Sequence, residues 1–133
     1  MRKIGEDTLF HLFKQGHNKK DDVWEPKVDI FETSCRLYIR VALAGVAKED
    51  IGIAFSDTFD CLIINGERKE PSFANPIKYH RLEIYYGSFE KRIDIPAGIF
   101  IEPGSARAEF RSGILTIELT KKDNITTHIS IAD

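Results

Sequence analysis

A tight turn between two alternating stretches is the feature that most constrains the fold of this chain. Ser112-Gly113 is a favourable turn pair, because glycine adopts the positive φ that a hairpin turn requires. Apolar and polar residues alternate on both sides of the turn, which is the period of a half-buried strand. The apolar set is Ala106, Ala108, Phe110, Leu115, Ile117 and Leu119. We therefore predict a β-hairpin whose apolar face must be covered by a second sheet.

Other predicted strands are available to build that second sheet. Strands are predicted at residues 28–31, 36–43, 51–55, 62–64, 79–85 and 89–95. The run Leu62-Ile63-Ile64 is apolar on both faces, which favours a central strand that residues 65–68 bring to an end. Short strands separated by frequent turns, with no helical period among them, indicate an all-β antiparallel β-sandwich.

Length and charge limit the class of protein. The chain has 133 residues, which is enough for one domain with a hydrophobic core. Its net charge of −2 lacks the excess of basic residues that is typical of nucleic-acid-binding proteins. It contains no apolar run long enough to cross a membrane and no signal-peptide core. Cys35 and Cys61 are predicted to lie inside strands as buried thiols of a reducing cytosol, with a disulfide left open. We therefore expect a cytoplasmic protein.

Two tails flank the strand region. The arm at residues 1–23 is polar around one apolar patch, and this patch is too small for a core, so it folds back, packs on another copy or binds a partner. The patch consists of Leu9, Phe10, Leu12 and Phe13. The tail at residues 123–133 places Ile129 and Ile131 two apart, which favours docking beside a sheet edge with two side-chain pockets. An extended end without any function is the alternative for this tail.

Motifs for catalysis or metal binding are missing from the sequence. There is no glycine-rich phosphate loop and no Gly-x-Ser-x-Gly elbow. The four histidines are scattered without cysteine or carboxylate partners at metal-ligand spacing. We therefore expect no enzyme, no metal and no cofactor.

A series of short motifs follows in a fixed order from Trp24 to Lys122. They are Trp24-x-Pro26, Val28-Asp29-Ile30, Leu43-x-Gly45-Val46, Leu62-x-Ile64-x-Gly66-Glu67-Arg68, Tyr86-Gly87-Ser88-Phe89, Ile95-Pro96, Ala106-x-Ala108 and Gly113-Ile114-Leu115. Together with Ile129-x-Ile131 in the tail, this order resembles the α-crystallin domain of the small heat-shock proteins of bacteria, archaea and plants.

The resemblance implies an immunoglobulin-like sandwich over residues 24–122 with flexible tails, forming a homo-dimer that builds a larger homo-oligomer. The stretch after the long connection is similar to the strand that the bacterial and plant type exchanges with its partner. This exchange strand would consist of Tyr79, His80, Arg81, Leu82 and Glu83. In the family the Ile-x-Ile tail fills a groove between two edge strands. The groove residues would here be Ile51, Ile53, Phe55, Ala106, Ala108 and Phe110.

Two positions depart from the family pattern. Lys91 stands where the family often has arginine, so a charge pair at the dimer interface would lack the planar fork of a guanidinium. Ser112 stands where the family often has asparagine, and serine before glycine still permits the turn.

The function that the resemblance implies is that of an ATP-independent chaperone. Such a holdase binds partly unfolded proteins on apolar surface and prevents their aggregation. The alternative is an adaptor of the p23/CS type, which shares the sandwich and docks on another chaperone. The Ile-x-Ile tail and the long exchange connection disfavour this alternative, and neither membrane nor nucleic acid is expected as a partner.

Overall fold

Seven β-strands make up most of the regular structure in this computed structural model, which describes residues 23–71, 75, 78–122 and 131–132. The strands are β1 (Val28–Glu32), β2 (Arg36–Ala42), β3 (Ile51–Phe55), β4 (Cys61–Arg68), β5 (Gly87–Asp94), β6 (Arg107–Arg111) and β7 (Ile114–Thr120). The only helical segment among the described residues is a 3-10 turn at Lys48–Asp50. In this part of the chain, therefore, no helix is long and apolar enough to cross a membrane.

The strands form two antiparallel sheets. The four-stranded sheet has the order β1-β2-β7-β6, and the three-stranded sheet has the order β3-β4-β5. This arrangement confirms the all-β antiparallel sandwich, and β4 lies between two neighbours as its apolar run predicts. Each sheet therefore has two edge strands, β1 and β6 in one and β3 and β5 in the other.

The core lies between the two sheets and is built from the inward positions of the alternating strands. Its members include Leu37, Ile39, Val41, Leu62, Ile64, Phe89, Ile93, Leu115, Ile117 and Leu119. All of them are nearly inaccessible to solvent, and burying one such side chain contributes roughly 1.5–3 kcal/mol. The alternation seen in the sequence thus sets which face of each strand turns inward.

The turn between β6 and β7 is the tight hairpin that the sequence predicts. Ser112 and Gly113 both have positive φ, at 52° and 77°, as a two-residue turn matching the strand twist requires. A Cβ on Gly113 would also lie 3.0 Å from the Cα of Ala44, so the turn packs against the end of β2. Leu115, Ile117 and Leu119 are buried on one face of β7, as predicted.

The predicted end of β4 is wrong, because the strand continues to Arg68 instead of stopping at Asn65. Gly66 pairs with Phe89, and Arg68 pairs with Gly87 at the last position of the ladder. A Cβ on Gly66 would lie 1.9 Å from the carbonyl oxygen of Asp50 and 2.7 Å from the Phe89 ring. Gly66 therefore permits a close approach of backbone and ring within a strand, where the sequence predicted the end of the strand.

The strand predicted at residues 79–85 is not formed in the single chain. Residues 78–86 belong to no strand, and they are part of the β4–β5 connection, which we define as residues 69–86. A β-strand requires a neighbouring strand to complete its ladder, and within the described part of the chain no strand pairs with this stretch.

The two cysteines lie in different surroundings, which corrects the prediction that both are buried in strands. Cys35 is exposed in the turn between β1 and β2, whereas Cys61 is buried at the start of β4. Neither forms a disulfide.

Candidate functional site

A groove opens between the edge strands β3 and β6, where the two sheets leave the core uncovered. It encloses about 250 Å³. We call it the edge groove, and its lining consists of Ile53, Ala54, Phe55, Leu62, Ala106, Arg107, Ala108 and Ile117. Because small alanines line the β6 side, the groove reaches down to buried side chains of the neighbouring strands.

The structure brings together four of the six residues predicted for this groove. Ile53 and Phe55 line it from β3, and Ala106 and Ala108 line it from the β6 side. The other two lie outside the lining, since Ile51 and Phe110 pack partly buried against the core.

Leu62 and Ile117 form the floor of the edge groove and were not predicted as groove residues. Leu62 pairs with Phe55, and Ile117 pairs with Ala108, so both lie directly beside the predicted walls. Both side chains are otherwise buried in the core. The signal in the sequence is the alternation that points them inward, but their place in the floor depends on the register between strands.

Arg107 is the one charged residue in the lining of the edge groove. Its side chain is 80% exposed, and its guanidinium lies 4.0 Å from the carboxylate of Glu118 on the outer face. Such an exposed ion pair is weak. The groove is thus an apolar slot between two strand edges, a geometry suited to an added extended segment with alternate side chains in pockets.

The C-terminal tail is described only in part. Ile131 is 91% exposed, so its apolar side chain is almost free of contact with the rest of its own chain. Ile129 lies outside the described residues, as do Leu9, Phe10, Leu12 and Phe13 of the N-terminal arm. The roles predicted for these five residues therefore stay predictions.

The predicted exchange strand, Tyr79–Glu83, lies on the surface within the β4–β5 connection. Tyr79, His80, Arg81 and Glu83 are exposed, and Leu82 is half-buried. The carboxylate of Glu83 lies 3.3 Å from the Arg81 guanidinium, and Ile84 just beyond is 61% exposed. Isolated apolar exposure of this kind is ordinary, but here it falls in a stretch that the sequence predicts to be a strand.

The opposite edge of the four-stranded sheet is formed by β1. Ile30 and Phe31 are exposed large apolar residues on this strand. Phe31 stacks on Tyr38 with 5.3 Å between ring centroids, and Arg40 lies over the Phe31 ring. Within the described chain β1 pairs only with β2, so its outer edge carries unpaired backbone groups.

Lys91, the predicted interface charge, lies on the half-buried inner side of the edge strand β5. Its ammonium lies 3.6 Å from the carboxylate of Glu25, in the segment that precedes β1. Trp24 beside it pairs with β5 through its own backbone, accepting from the N–H of Glu90 and donating to the carbonyl of Ser88. A role of Lys91 between two copies stays a prediction.

The turn between β3 and β4 contains an acidic residue with a shifted pKa. The hydroxyls of Thr58 and Ser56 donate to one carboxylate oxygen of Asp60, at 2.7 and 2.8 Å, and lower the pKa of Asp60. Both donors belong to the same turn, so the pattern stabilises the turn. No cluster of histidine, cysteine and carboxylate side chains suited to a metal is present among the residues that the structure describes.

Several known proteins are similar in sequence to this chain. The profile of the Hsp20/alpha crystallin family matches residues 29–132. Small heat shock protein C2 of Rickettsia felis is 37% identical over 98 residues, covering 74% of this chain and 61% of its own length. Heat shock protein 16 of Schizosaccharomyces pombe is 30% identical over 110 residues, covering 80% and 73%. The chain spans about 60% of the length of the two Rickettsia felis relatives that it matches.

Solved structures with the same architecture include two of comparable identity. Heat shock protein 16.0 from Schizosaccharomyces pombe superposes with a TM-score of 0.64 at 27% identity, covering 100% of this chain and 94% of that one. A small heat-shock protein from Xylella fastidiosa, described as having a distinct high order structure, has a TM-score of 0.65 at 29% identity. This match covers 83% of this chain and 98% of that one.

Proposed function

This chain belongs to the Hsp20/alpha-crystallin family, and on that premise we propose that it is an ATP-independent chaperone of the holdase type. It binds partly unfolded proteins and prevents their aggregation, and it works as an assembly of many copies. The observation that carries this proposal is the edge groove, an apolar slot between two strand edges. Partly unfolded chains expose apolar segments and unpaired strand backbone, which are the complements of such a slot.

The edge groove takes the C-terminal tail of another copy when no unfolded protein occupies it. Ile131 is almost fully exposed, although leaving an isoleucine in water forfeits roughly 1.5–3 kcal/mol. Residues two apart on an extended tail point the same way, so Ile129 and Ile131 enter the groove together. Tail and unfolded protein thus compete for one surface, and assembly keeps that surface covered.

The β4–β5 connection pairs two copies into a dimer. Its residues 79–85 are predicted as a strand but belong to no strand of either sheet among the described residues, while β1 has an open edge. Pairing this stretch with β1 of a second copy gives the open edge of β1 a neighbouring strand and covers Ile30, Leu82 and Ile84. Dimers formed in this way become the units that the tails link into larger homo-oligomers.

The remaining features fit a non-catalytic protein of a reducing compartment. Cys35 and Cys61 are both free thiols, as is usual in the cytoplasm. We place the protein there and assign it no catalytic activity, no cofactor and no nucleic-acid partner. Nothing in the comparisons favours the adaptor of the p23/CS type, so we keep the holdase.

The test combines aggregation suppression with particle mass. A heat-labile protein is warmed with the purified chain in the absence of nucleotide, and light scattering follows its aggregation. We expect suppression at near-stoichiometric ratios and a particle of many subunits. The double change Ile129→Ala with Ile131→Ala should lower the particle mass, whereas the conservative pair Ile129→Val with Ile131→Val serves as the matched control.

Two outcomes contradict the proposal. A chain that is a monomer at working concentration and leaves aggregation unchanged has no holdase activity of this kind. Unchanged particle mass in the alanine variant would refute the role of the tail even if aggregation is suppressed.

A further inference from the structure

Arg68 ends β4 at the point where the chain leaves the sandwich for the β4–β5 connection. Its guanidinium carbon lies 3.8 Å from the centroid of the Trp24 ring, and its Nη1 donates to the carbonyl oxygen of Tyr85 at 3.2 Å. The side chain also runs along the surface of Gly45, where a Cβ would lie 3.7 Å from its Nε. One side chain therefore joins three segments that are distant in sequence.

The charge of Arg68 is held without an ion pair. Among the described residues, no carboxylate lies within 4.0 Å of its nitrogens, and its buried Nε has no hydrogen-bond partner. Burial lowers the pKa of the guanidinium. The contacts that remain, a ring face and a carbonyl, are directional, as expected of a group that fixes geometry.

Both ends of the β4–β5 connection meet at this side chain. Arg68 faces Gly87 in the last ladder pair, so the connection leaves and returns at one place. The hydrogen bond to Tyr85 holds the returning end. On the leaving side, the ammonium of Lys69 binds the carboxylate of Asp50 at 2.9 Å.

The third partner, Trp24, is where the N-terminal arm joins the sandwich. Its backbone pairs with β5, and its ring meets Phe89 edge to face with 5.8 Å between centroids. The Trp24 ring also contacts the Arg68 guanidinium, which lies over it. A displacement of the arm junction therefore removes the surface on which Arg68 rests.

We propose that Arg68 is the positioning residue of the exchange segment, holding its base between Trp24 and Tyr85 so that pairing with a second copy responds to the arm junction. This inference rests on the proposed exchange of residues 79–85. With Arg68 in place, the segment leaves the domain in one direction and meets β1 of the partner in register. When Trp24 is displaced, the guanidinium loses its platform, the hydrogen bond to Tyr85 weakens, and the partner segment detaches more readily.

Two measurements on the full-length protein test this inference. Hydrogen–deuterium exchange is followed at the amides of residues 82–88 and compared with the β2 amides, which report global stability. Native mass spectrometry follows the mixing of isotopically labelled and unlabelled subunits. The variants are Arg68→Lys, which keeps the charge but loses the planar fork, Trp24→Leu, and the two combined. The matched control is Arg92→Lys, since the Arg92 side chain is 67% exposed and forms its ion pair with the exposed Asp94.

We expect Arg68→Lys to speed subunit mixing and the exchange of residues 82–88 by about tenfold, the effect of one lost charge-assisted hydrogen bond. The β2 amides stay unchanged. Trp24→Leu acts in the same direction, and the combined variant is no faster than the faster single one, because both changes break one contact. Arg92→Lys behaves as the unmodified protein does.

Other results overturn the inference in recognisable ways. Unchanged mixing and unchanged local exchange in Arg68→Lys refute the positioning role while leaving the proposed function intact. Additive effects of the two changes refute the coupling through Trp24. If the unmodified protein is a monomer, pairing of two copies through residues 79–85 is itself wrong, yet the amides of residues 85–87 still decide whether Arg68 holds the base. Should Arg68→Lys fail to fold, Trp24→Leu carries the test with Arg68 in place.

Discussion

Filling the edge groove with a larger side chain of the same chain should weaken assembly without lowering the stability of the fold. Ala108 lies in the groove lining opposite Ile117, and the groove encloses about 250 Å³. The change Ala108→Leu adds three carbon atoms to this space without entering the closed core, since Ala108 is exposed. We expect the variant to fold normally and to lose part of the volume that Ile129 and Ile131 of another copy would occupy.

The size of the effect follows from the two isoleucines. Burying both contributes roughly 3–6 kcal/mol, and ordering residues 129–131 opposes this by about 3–6 kcal/mol, so one tail binds weakly. A large particle is then held by many such links at high effective concentration. Blocking one isoleucine pocket removes about 1.5–3 kcal/mol per link, which weakens each link roughly 10- to 150-fold.

Light scattering after size-exclusion chromatography measures the consequence as particle mass against protein concentration. We expect Ala108→Leu to dissociate at concentrations where the unmodified particle stays whole, with a thermal midpoint within a few degrees of the original. The control is Ala42→Leu, an exposed alanine at the end of β2 that makes no part of the groove. A particle of unchanged mass in Ala108→Leu, over the whole concentration range, would refute the reasoning that the groove holds the tail.

Three further predictions concern stability. Gly66→Ala should destabilise the fold by about 3 kcal/mol or more in urea unfolding, because its Cβ would lie 1.9 Å from the Asp50 carbonyl oxygen. The control is Gly98→Ala, whose Cβ would have nothing within 4 Å. It should lower the free energy of unfolding by only about 1–2 kcal/mol, because Gly98 has a positive φ. Equal losses would contradict the close approach at Gly66. Ile39→Ala, fully buried in β2, should lose about 2–5 kcal/mol, and a loss below 1 kcal/mol would place this side chain outside the core. Asp60→Asn should destabilise the fold at neutral pH but not in acid. The lowered pKa of Asp60 stabilises the fold above the ordinary carboxyl value of 3.8, and this contribution is lost as the pH falls through the folded pKa. Unfolding curves at pH 7 and at pH 2.5 test this, and a difference of equal size at both would contradict it.

The features that the sequence predicts best are those that depend on residues close together in the chain. The hairpin through Ser112-Gly113 and the inward face of β7 follow from alternation and from the φ values a tight turn requires. The predicted end of β4 was wrong at Gly66, because the strand continues through the Asn65-Gly66 pair to Arg68. At this position the glycine lets the Asp50 carbonyl and the Phe89 ring lie close to the β4 backbone. This close packing involves segments distant in sequence, so the local sequence pattern does not reveal it.

Features that depend on register or on a second copy were beyond the local pattern. Leu62 and Ile117 enter the groove floor only because of which residues they pair with across the sheet. The alternation of residues 79–85 is that of a strand, yet a strand forms only beside a partner backbone. The contacts of Arg68 join positions 24, 45 and 85, which no spacing rule relates.

Because only one of the two thiols is exposed, the native chain can be labelled at a single cysteine. Cys35 lies at the surface in the turn that follows β1, while Cys61 is closed off from reagents. A maleimide dye or a nitroxide spin label would therefore attach at one known position without any engineered cysteine. Because that position adjoins the proposed contact between copies, label-to-label distances would read the geometry of the pair directly, in solution and during warming.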